Sequence, residues 1–263
     1  MHMNKCKTII NGASAIALSI AMSDPENTII LESSNIPAKE FLFTYRFDCI
    51  NEYIPSGIYG KEFYTMIKDN HCIIKNDYIM NNEILPYLSE YIRSKNLKIY
   101  FSFQIISVQK QLNYYKITGI CQNEIIELCC FHYIDTAIET IINNDKLKKD
   151  VVYRTMILKN ENKRANIIPW KIKEIGQDDI YMLERSINAQ ENYIEIRNYV
   201  IDLLYQMKEN TKDTLLSAAE IVDLKTDDLI YVNNDYYVLS PSYPKNIFDA
   251  FYYGERFWRE YIC

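Results

Sequence analysis

The 263-residue sequence predicts an α/β chain. It reads as a parallel sheet extended by an antiparallel β-meander, with an α+β segment interleaved before the last strand. Three observations carry this. The start, Lys7-Thr8-Ile9-Ile10-Asn11-Gly12-Ala13-Ser14-Ala15-Ile16-Ala17-Leu18-Ser19-Ile20-Ala21, reads as a buried strand, a turn of small residues and a helix, and the apolar run Thr28-Ile29-Ile30-Leu31 follows, closed by Glu32. A helical pattern over 83–95 leads into a series of short strand-like runs. The chain closes on a strand, a loop holding Pro241 and Pro244, and a helical pattern reaching Tyr261.

The first unit, residues 5–34, has the order of a dinucleotide-binding βαβ motif. Glu32 follows Gly12 at the spacing of about 20 residues that such a motif requires. Small residues allow a backbone to approach a pyrophosphate, and the free N–H groups and positive end of a helix attract it. An acid at the second strand end accepts hydrogen bonds from a ribose. The frame that fits is Gly12-x-Ser14-x-x-Ala17, with one glycine of three. A βαβ unit that holds no ligand therefore stands beside the nucleotide reading. The helix, from about Ser14 to Met22, is stopped by Asp24-Pro25-Glu26-Asn27.

Residues 35–82 contain Pro37, Pro55, Gly57, Gly60 and the basic residues Arg46, Lys61 and Lys68. Within them, 60–67 reads as a helical turn and 71–74 as a strand. Ile84, Leu85, Leu88, Tyr91 and Ile92 recur at helical spacing, with Pro86 tolerated in the first turn. Strands are expected at 97–101, 104–110, 114–120 and 125–130, with turns at 111–113 and 122–124. A separate returning strand, Phe131-His132-Tyr133-Ile134-Asp135-Thr136-Ala137, ends in small polar residues, as strands do beside a bound nucleotide. The runs 151–158, 165–170 and 180–183 predict a second sheet. Residues 189–210 and, more briefly, 213–224 predict helices.

The net charge of −6 argues against nucleic acid or an anionic membrane as a general partner. No apolar run approaches the roughly 20 residues that span a bilayer, and the start lacks a signal peptide's organisation. A cytoplasmic protein is expected. The seven cysteines include no C-x-x-C pair, which argues against a disulfide framework and a zinc site. Cys129-Cys130 reads as buried small hydrophobes. With three histidines, and His71 and His132 isolated, no nucleophile–histidine set can be assembled, no metal site is expected and no catalytic residue is identified.

Taken in order, these features resemble the FAD-dependent oxidoreductases of the glutathione-reductase-like class. The resemblance rests on Gly12-Ala13-Ser14-Ala15-Ile16-Ala17-Leu18 with Glu32, on the run from Glu83 to Val108 with the meander closing on Tyr133-Ile134-Asp135-Thr136-Ala137, and on Tyr237 to Trp258. It implies a Rossmann-like FAD-binding domain from 1–138 and 231–263, and a substrate or cap domain from 139–230. It also implies non-covalent FAD. Gly12, Ala13, Ser14 and Ala15 would lie at the pyrophosphate, with Arg46 pairing to it. Glu32 and Ser33 would lie at the adenosine ribose and Ile105 at the adenine. Thr136, Ala137, Ser240 and Ser242 would lie along the rest of the cofactor. The sequence departs from the family at Ser14, at Ala17, at Thr136-Ala137-Ile138, which lacks a glycine, and at Ser240-Pro241-Ser242, which replaces a Gly-Asp pair. Cys49 and Cys72 are too far apart in sequence for a redox pair, so disulfide reduction is not expected. The implied activity is oxidation of a small-molecule or peptide-linked substrate by hydride transfer to flavin. The alternative is a cofactor-free relative acting as a non-catalytic subunit or binding partner of another flavoprotein, in a homo- or hetero-oligomer. An NAD(P)-binding protein is a third and weaker reading.

Overall fold

The computed structural model describes residues 4–44, 48–49, 53–74, 78–79, 81–142, 149–158, 171–174, 180–187, 195, 198, 201–202, 205, 214–219, 223–233 and 236–263. In chain order the first part comprises β1 (Asn4–Asn11), α1 (Ala15–Ser23), β2 (Thr28–Glu32), α2 (Lys39–Leu42), β3 (Asp48–Cys49), α3 (Ile58–Asp69), β4 (Ile73–Ile74), β5 (Tyr78–Ile79), α4 (Leu85–Ser94), β6 (Lys98–Phe101), β7 (Gln104–Lys110), β8 (Tyr115–Cys121), β9 (Glu124–Asp135) and α5 (Ile138–Ile142). The remainder comprises β10 (Lys149–Leu158), β11 (Lys171–Glu174), β12 (Ile180–Ile187), β13 (Thr214–Ala218), β14 (Asp223–Thr226), β15 (Ile230–Asn233), β16 (Tyr236–Leu239) and α6 (Ile247–Phe257), the last continued by a π turn, Trp258–Ile262.

The main sheet is ordered β15-β16-β9-β1-β2-β6. Every neighbouring pair from β16 to β6 is parallel, and β15 joins β16 antiparallel. β1 and β2 are near-continuous apolar runs because both faces are covered; every residue of β2 is buried. Ile10, Ile30 and Ile134 point into a core shared with α1, α3, α4 and α6. Ile9, Ile29, Leu31 and Tyr133 point the other way, into a core closed by β7 and β8.

α1 is apolar on all sides because it is enclosed: Ala15 to Met22 are all buried. Its close neighbour is α6. A side chain on Gly254 would place Cβ 2.5 Å from the Ile16 carbonyl oxygen, so the approach of the two helices depends on that glycine. The Ser19 hydroxyl, fully buried, donates to the Phe251 carbonyl. α3 seals the other side of α6 through Phe63, whose ring meets Phe251 edge-on at 5.6 Å.

Two expectations from the sequence are corrected and a third is extended. The third meander strand and the returning strand are one element, β9. Its first half pairs antiparallel with β8 and the rest of its length lies along β1, since the run from Glu124 to Asp135 contains no turn residue to divide it. The helix expected over 213–224 is replaced by β13 and β14, both antiparallel to β10; sheet pairing overrides a local helical pattern. The helical turn at 60–67 belongs to the longer α3. A second sheet is present, ordered β11-β12-β10-β13 with β14 also on β10. The run 165–170 and most of 189–210 lie outside the described residues; Glu195, Asn198, Ile201, Asp202 and Tyr205 are helical. Among the described residues no helix is long and apolar enough to cross a membrane, and no group of side chains is arranged to hold a metal ion. Cys129 and Cys130 are buried. Burial pushes the Cys6 thiol up to about 11 and that of Cys130 up as well, so both pack as neutral side chains.

Candidate functional site

The parallel strands β1, β2, β9 and β16 end at one edge of the sheet, and Gly12, Glu32, Thr136 and Ser240 follow or close them there. Gly12 has φ +86°, and an added Cβ would lie 2.9 Å from the backbone N and Cα of Ala137. The glycine is required by this backbone approach and by its left-handed conformation. The Thr136 hydroxyl lies 3.0 Å from the Asn11 carbonyl and 2.9 Å from that of Gly12, locking the two strand ends together.

The turn leads into α1. Ser14 is its N-cap, and Oγ accepts from the Ala17 N–H at 3.1 Å. The two N–H groups on either side of Ser14 are also taken. Ala13 N–H donates to Glu32 Oε2 at 2.6 Å, and Ala15 N–H donates to Glu40 Oε1 at 2.8 Å. Glu32 Oε1 further accepts from the backbone and hydroxyl of Ser34, at 2.8 and 2.6 Å. Lys39 Nζ sits 3.4 Å from Glu32 and 2.9 Å from Glu139. Burial alone would lower the Lys39 pKa; the charge of Glu32 and the hydrogen bond to Glu139 outweigh it, so the ammonium is held above its ordinary value.

Asp135 closes the edge beside β1. It accepts from Asn11 Nδ2 (3.1 Å), Ala137 N–H (3.0 Å) and the Thr140 hydroxyl (2.9 Å). Burial nevertheless holds its carboxyl above the ordinary range. Glu32, Glu40 and Asp135 thus gather at one end of the sheet, at 2%, 1% and 5% exposure.

Of the residues named from the sequence, Gly12, Ala13, Ser14, Ala15, Glu32, Thr136 and Ala137 lie in this connected turn. Ser33 is exposed beside it. Ile105 is half-buried in β7, just beyond the Ser102–Phe103 link, whose N–H groups bond to the Ser34 and Glu32 carbonyls. Ser240 and Ser242 are buried after β16, where Ser240 Oγ accepts from the Thr226 hydroxyl at 2.7 Å. Arg46 lies outside the described residues. The sequence reading missed Glu40 as a site residue. It is delivered by a turn through Ala38, at φ +50°, whose N–H bonds to the Ala13 carbonyl at 2.8 Å. No spacing rule marks such a residue.

No protein-family model and no curated protein matches the chain. Solved structures do. A geranylgeranyl bacteriochlorophyll reductase-like protein from Thermoplasma acidophilum superposes with a TM-score of 0.61 at 8% identity, covering 97% of this chain and 77% of that one. A flavoprotein/dehydrogenase from Cytophaga hutchinsonii gives 0.54 at 10% identity, with 96% and 76% covered. The p-nitrophenol 4-monooxygenase from Pseudomonas putida DLL-E4 gives 0.54 at 9% identity, with 90% and 72% covered. The chain shares the fold of these proteins. In a fold of this kind the pyrophosphate of a dinucleotide lies at the N-terminus of the helix after the first strand. Here that helix is α1, and the N–H groups of its turn hold carboxylates. The donor set suits an anion, and Glu32 stands at the end of β2.

Proposed function

We propose that the chain is an FAD-dependent oxidoreductase that holds the adenosine diphosphate half of FAD along the edge formed by β1, α1 and β2. The observation that carries this reading is the pair of N–H groups at Ala13 and Ala15. They flank the α1 cap at the ligand-binding edge of a parallel sheet and already hold anionic groups. In this reading the Gly12–Ala15 turn binds the pyrophosphate, with Arg46 as its counter-charge. Glu32, with Ser33 beside it, takes the ribose, and Ile105 lies near the adenine. Thr136, Ala137, Ser240 and Ser242 line the path toward the flavin. Residues 1–138 and 231–263 form the cofactor domain, and 139–230 form the substrate domain. Bound FAD supplies a hydride or electron acceptor; the chain's own residues bind, orient and exclude water from it. The flavin-dependent halogenase that also superposes, at a TM-score of 0.53, supports flavin chemistry on this fold and leaves the reaction type open.

The test is direct. The full chain, purified and incubated with FAD, should be yellow and keep flavin absorbance through gel filtration. A chain that takes up no added FAD, either as the wild type or with the Glu40 carboxylate removed, would refute the reading. The burial of Glu40 against Ala15 favours a second reading, a cofactor-free relative that serves as a non-catalytic subunit of another flavoprotein. Stable co-elution of the colourless chain with a flavin-bearing partner would select it.

A further inference from the structure

We infer that Glu40 is a built-in anion that closes the phosphate-binding turn, and that a pyrophosphate-bearing ligand enters only by displacing its carboxylate. The inference rests on the FAD reading for the identity of the ligand, and on geometry for the closure itself.

The geometry is specific. Ala15 is the first residue of α1, and its N–H is among the four that a helix start leaves without an intrahelical acceptor. A helix start of this kind, after the first strand of the fold, is where phosphate oxygens are received. Here Glu40 Oε1 takes the bond at 2.8 Å, and the residue is 1% exposed, so neither water nor a ligand shares the position. The segment that brings Glu40 there is anchored on both sides. Before it, Ala38 N–H bonds to Ala13; after it, Phe41 and Leu42 are fully buried, and the Thr44 hydroxyl donates to the Glu40 carbonyl at 2.7 Å. Ala38 holds a left-handed backbone, an unfavourable conformation for a residue with a Cβ, which the fold maintains in order to make this approach. Glu40 therefore leaves by side-chain rotation while the segment stays.

Charge makes the exclusion stronger than sterics alone. Glu32 and Asp135 are buried at the same edge. Lys39 Nζ offsets Glu32 at 3.4 Å, so a diphosphate arriving there meets its like-charge repulsion chiefly from Glu40, at the N–H it would bind, in a medium that screens poorly. Removing the Glu40 charge relieves the repulsion, and truncating the side chain also frees the Ala15 N–H.

The experiment compares the full-length wild type with Glu40→Gln and Glu40→Ala. Gln keeps an oxygen for Ala15 and removes the charge, so it guards against a variant that fails to fold. One arm measures FAD binding by titration of flavin fluorescence. The other measures the melting temperature with and without millimolar inorganic pyrophosphate. The inference expects FAD affinity to rise at least tenfold in both variants. It also expects pyrophosphate to raise the melting temperature of Glu40→Ala while leaving the wild type unmoved. If the wild type binds FAD as tightly as the variants, the FAD reading stands and the closure is overturned. If no variant takes FAD but pyrophosphate stabilises Glu40→Ala alone, the closure stands and the FAD reading falls. If pyrophosphate stabilises none of the three, or all equally, and FAD affinity is unchanged, the closure is overturned.

Discussion

Two helices of this molecule begin in the same unusual way and in different surroundings. α1 starts after Gly12 and α3 after Gly57, both glycines with positive φ. Each helix receives at its first turn a glutamate from a distant part of the chain: Glu40 Oε1 on Ala15 N–H, and Glu255 Oε1 on Tyr59 N–H at 2.7 Å. α1 has a cap of its own in Ser14, whereas the Gly57 cap of α3 contributes no side-chain bond. The surroundings differ more. The α1 turn is buried among strand ends. The α3 start opens on a cavity of about 610 Å³ lined by Gly57, Ile58, Tyr59, Lys61, Glu255 and Arg259. Both helix starts thus receive a carboxylate from elsewhere in the chain. Only at α1 does it occupy the edge where a parallel sheet presents ligands.

The largest expected effect separates the two glycines. In Gly12→Ala the new Cβ meets backbone atoms of Ala137 at 2.9 Å, which cannot rotate away. The left-handed conformation costs about 1–2 kcal/mol and the overlap about 1–3 kcal/mol more. Urea unfolding should lose about 3 kcal/mol, enough to threaten folding of a typical domain. In Gly57→Ala the obstacle, at 2.7 Å, is the carboxylate of Glu255, the far end of a flexible side chain. That variant should fold, lose about 2 kcal/mol through backbone strain and a weakened cap, and leave α1 intact. Equal losses would mean that the Gly12 turn is looser than its contacts imply.

The next effect compares the two glutamates. Glu40→Ala leaves a buried N–H without an acceptor, a loss of about 1–3 kcal/mol. Glu255→Ala uncovers an N–H at the wall of an open cavity, where water replaces the carboxylate, so the loss should be about 1 kcal/mol. Chemical denaturation of both variants measures the difference, and the Glu40 variant should be the less stable. The reverse order would show that water reaches α1 as freely as it reaches α3.

Much of this fold was legible because its signals are local. The β1–α1–β2 unit shows in the apolar runs around Gly12 and in the small residues that let α1 lie against α6. The meander shows in its turns at 111–113 and 122–124. The errors fell where a distant partner decides. A helix is expected over 213–224, but the described residues 214–218 and 223–224 lie in β13 and β14 because β10 offers them pairing partners. Glu32 could be found by its spacing from Gly12, since one helix and one strand, α1 and β2, separate the turn from the acid by a near-constant length. Glu40 could not. Its position depends on the positive φ of Ala38 and the burial of Phe41 and Leu42, and neither leaves a periodic trace. Asp135 was visible in the strand-end run, but its role as acceptor for Asn11, Ala137 and Thr140 emerges only once β1 and β9 are paired.

The smallest expected effect bears on which departure from the glycine fingerprint matters. Ser14 is the conspicuous one in the sequence, since it adds a hydroxymethyl group beside the turn. In the fold its Oγ is engaged by Ala17 N–H, and its backbone, φ −65° and ψ 162°, is ordinary extended geometry that needs no glycine. Ser14→Gly should therefore cost only a few tenths of a kcal/mol, the usual penalty for exchanging serine for glycine at an N-cap. It should leave the pyrophosphate response and FAD affinity of the wild type unchanged while Glu40 remains. Combined with Glu40→Ala, it should add nothing to the gain that Glu40→Ala brings alone. If Ser14→Gly by itself opened the turn to pyrophosphate, the barrier would lie at the serine that the sequence displays, and the closure assigned to Glu40 would have to be withdrawn.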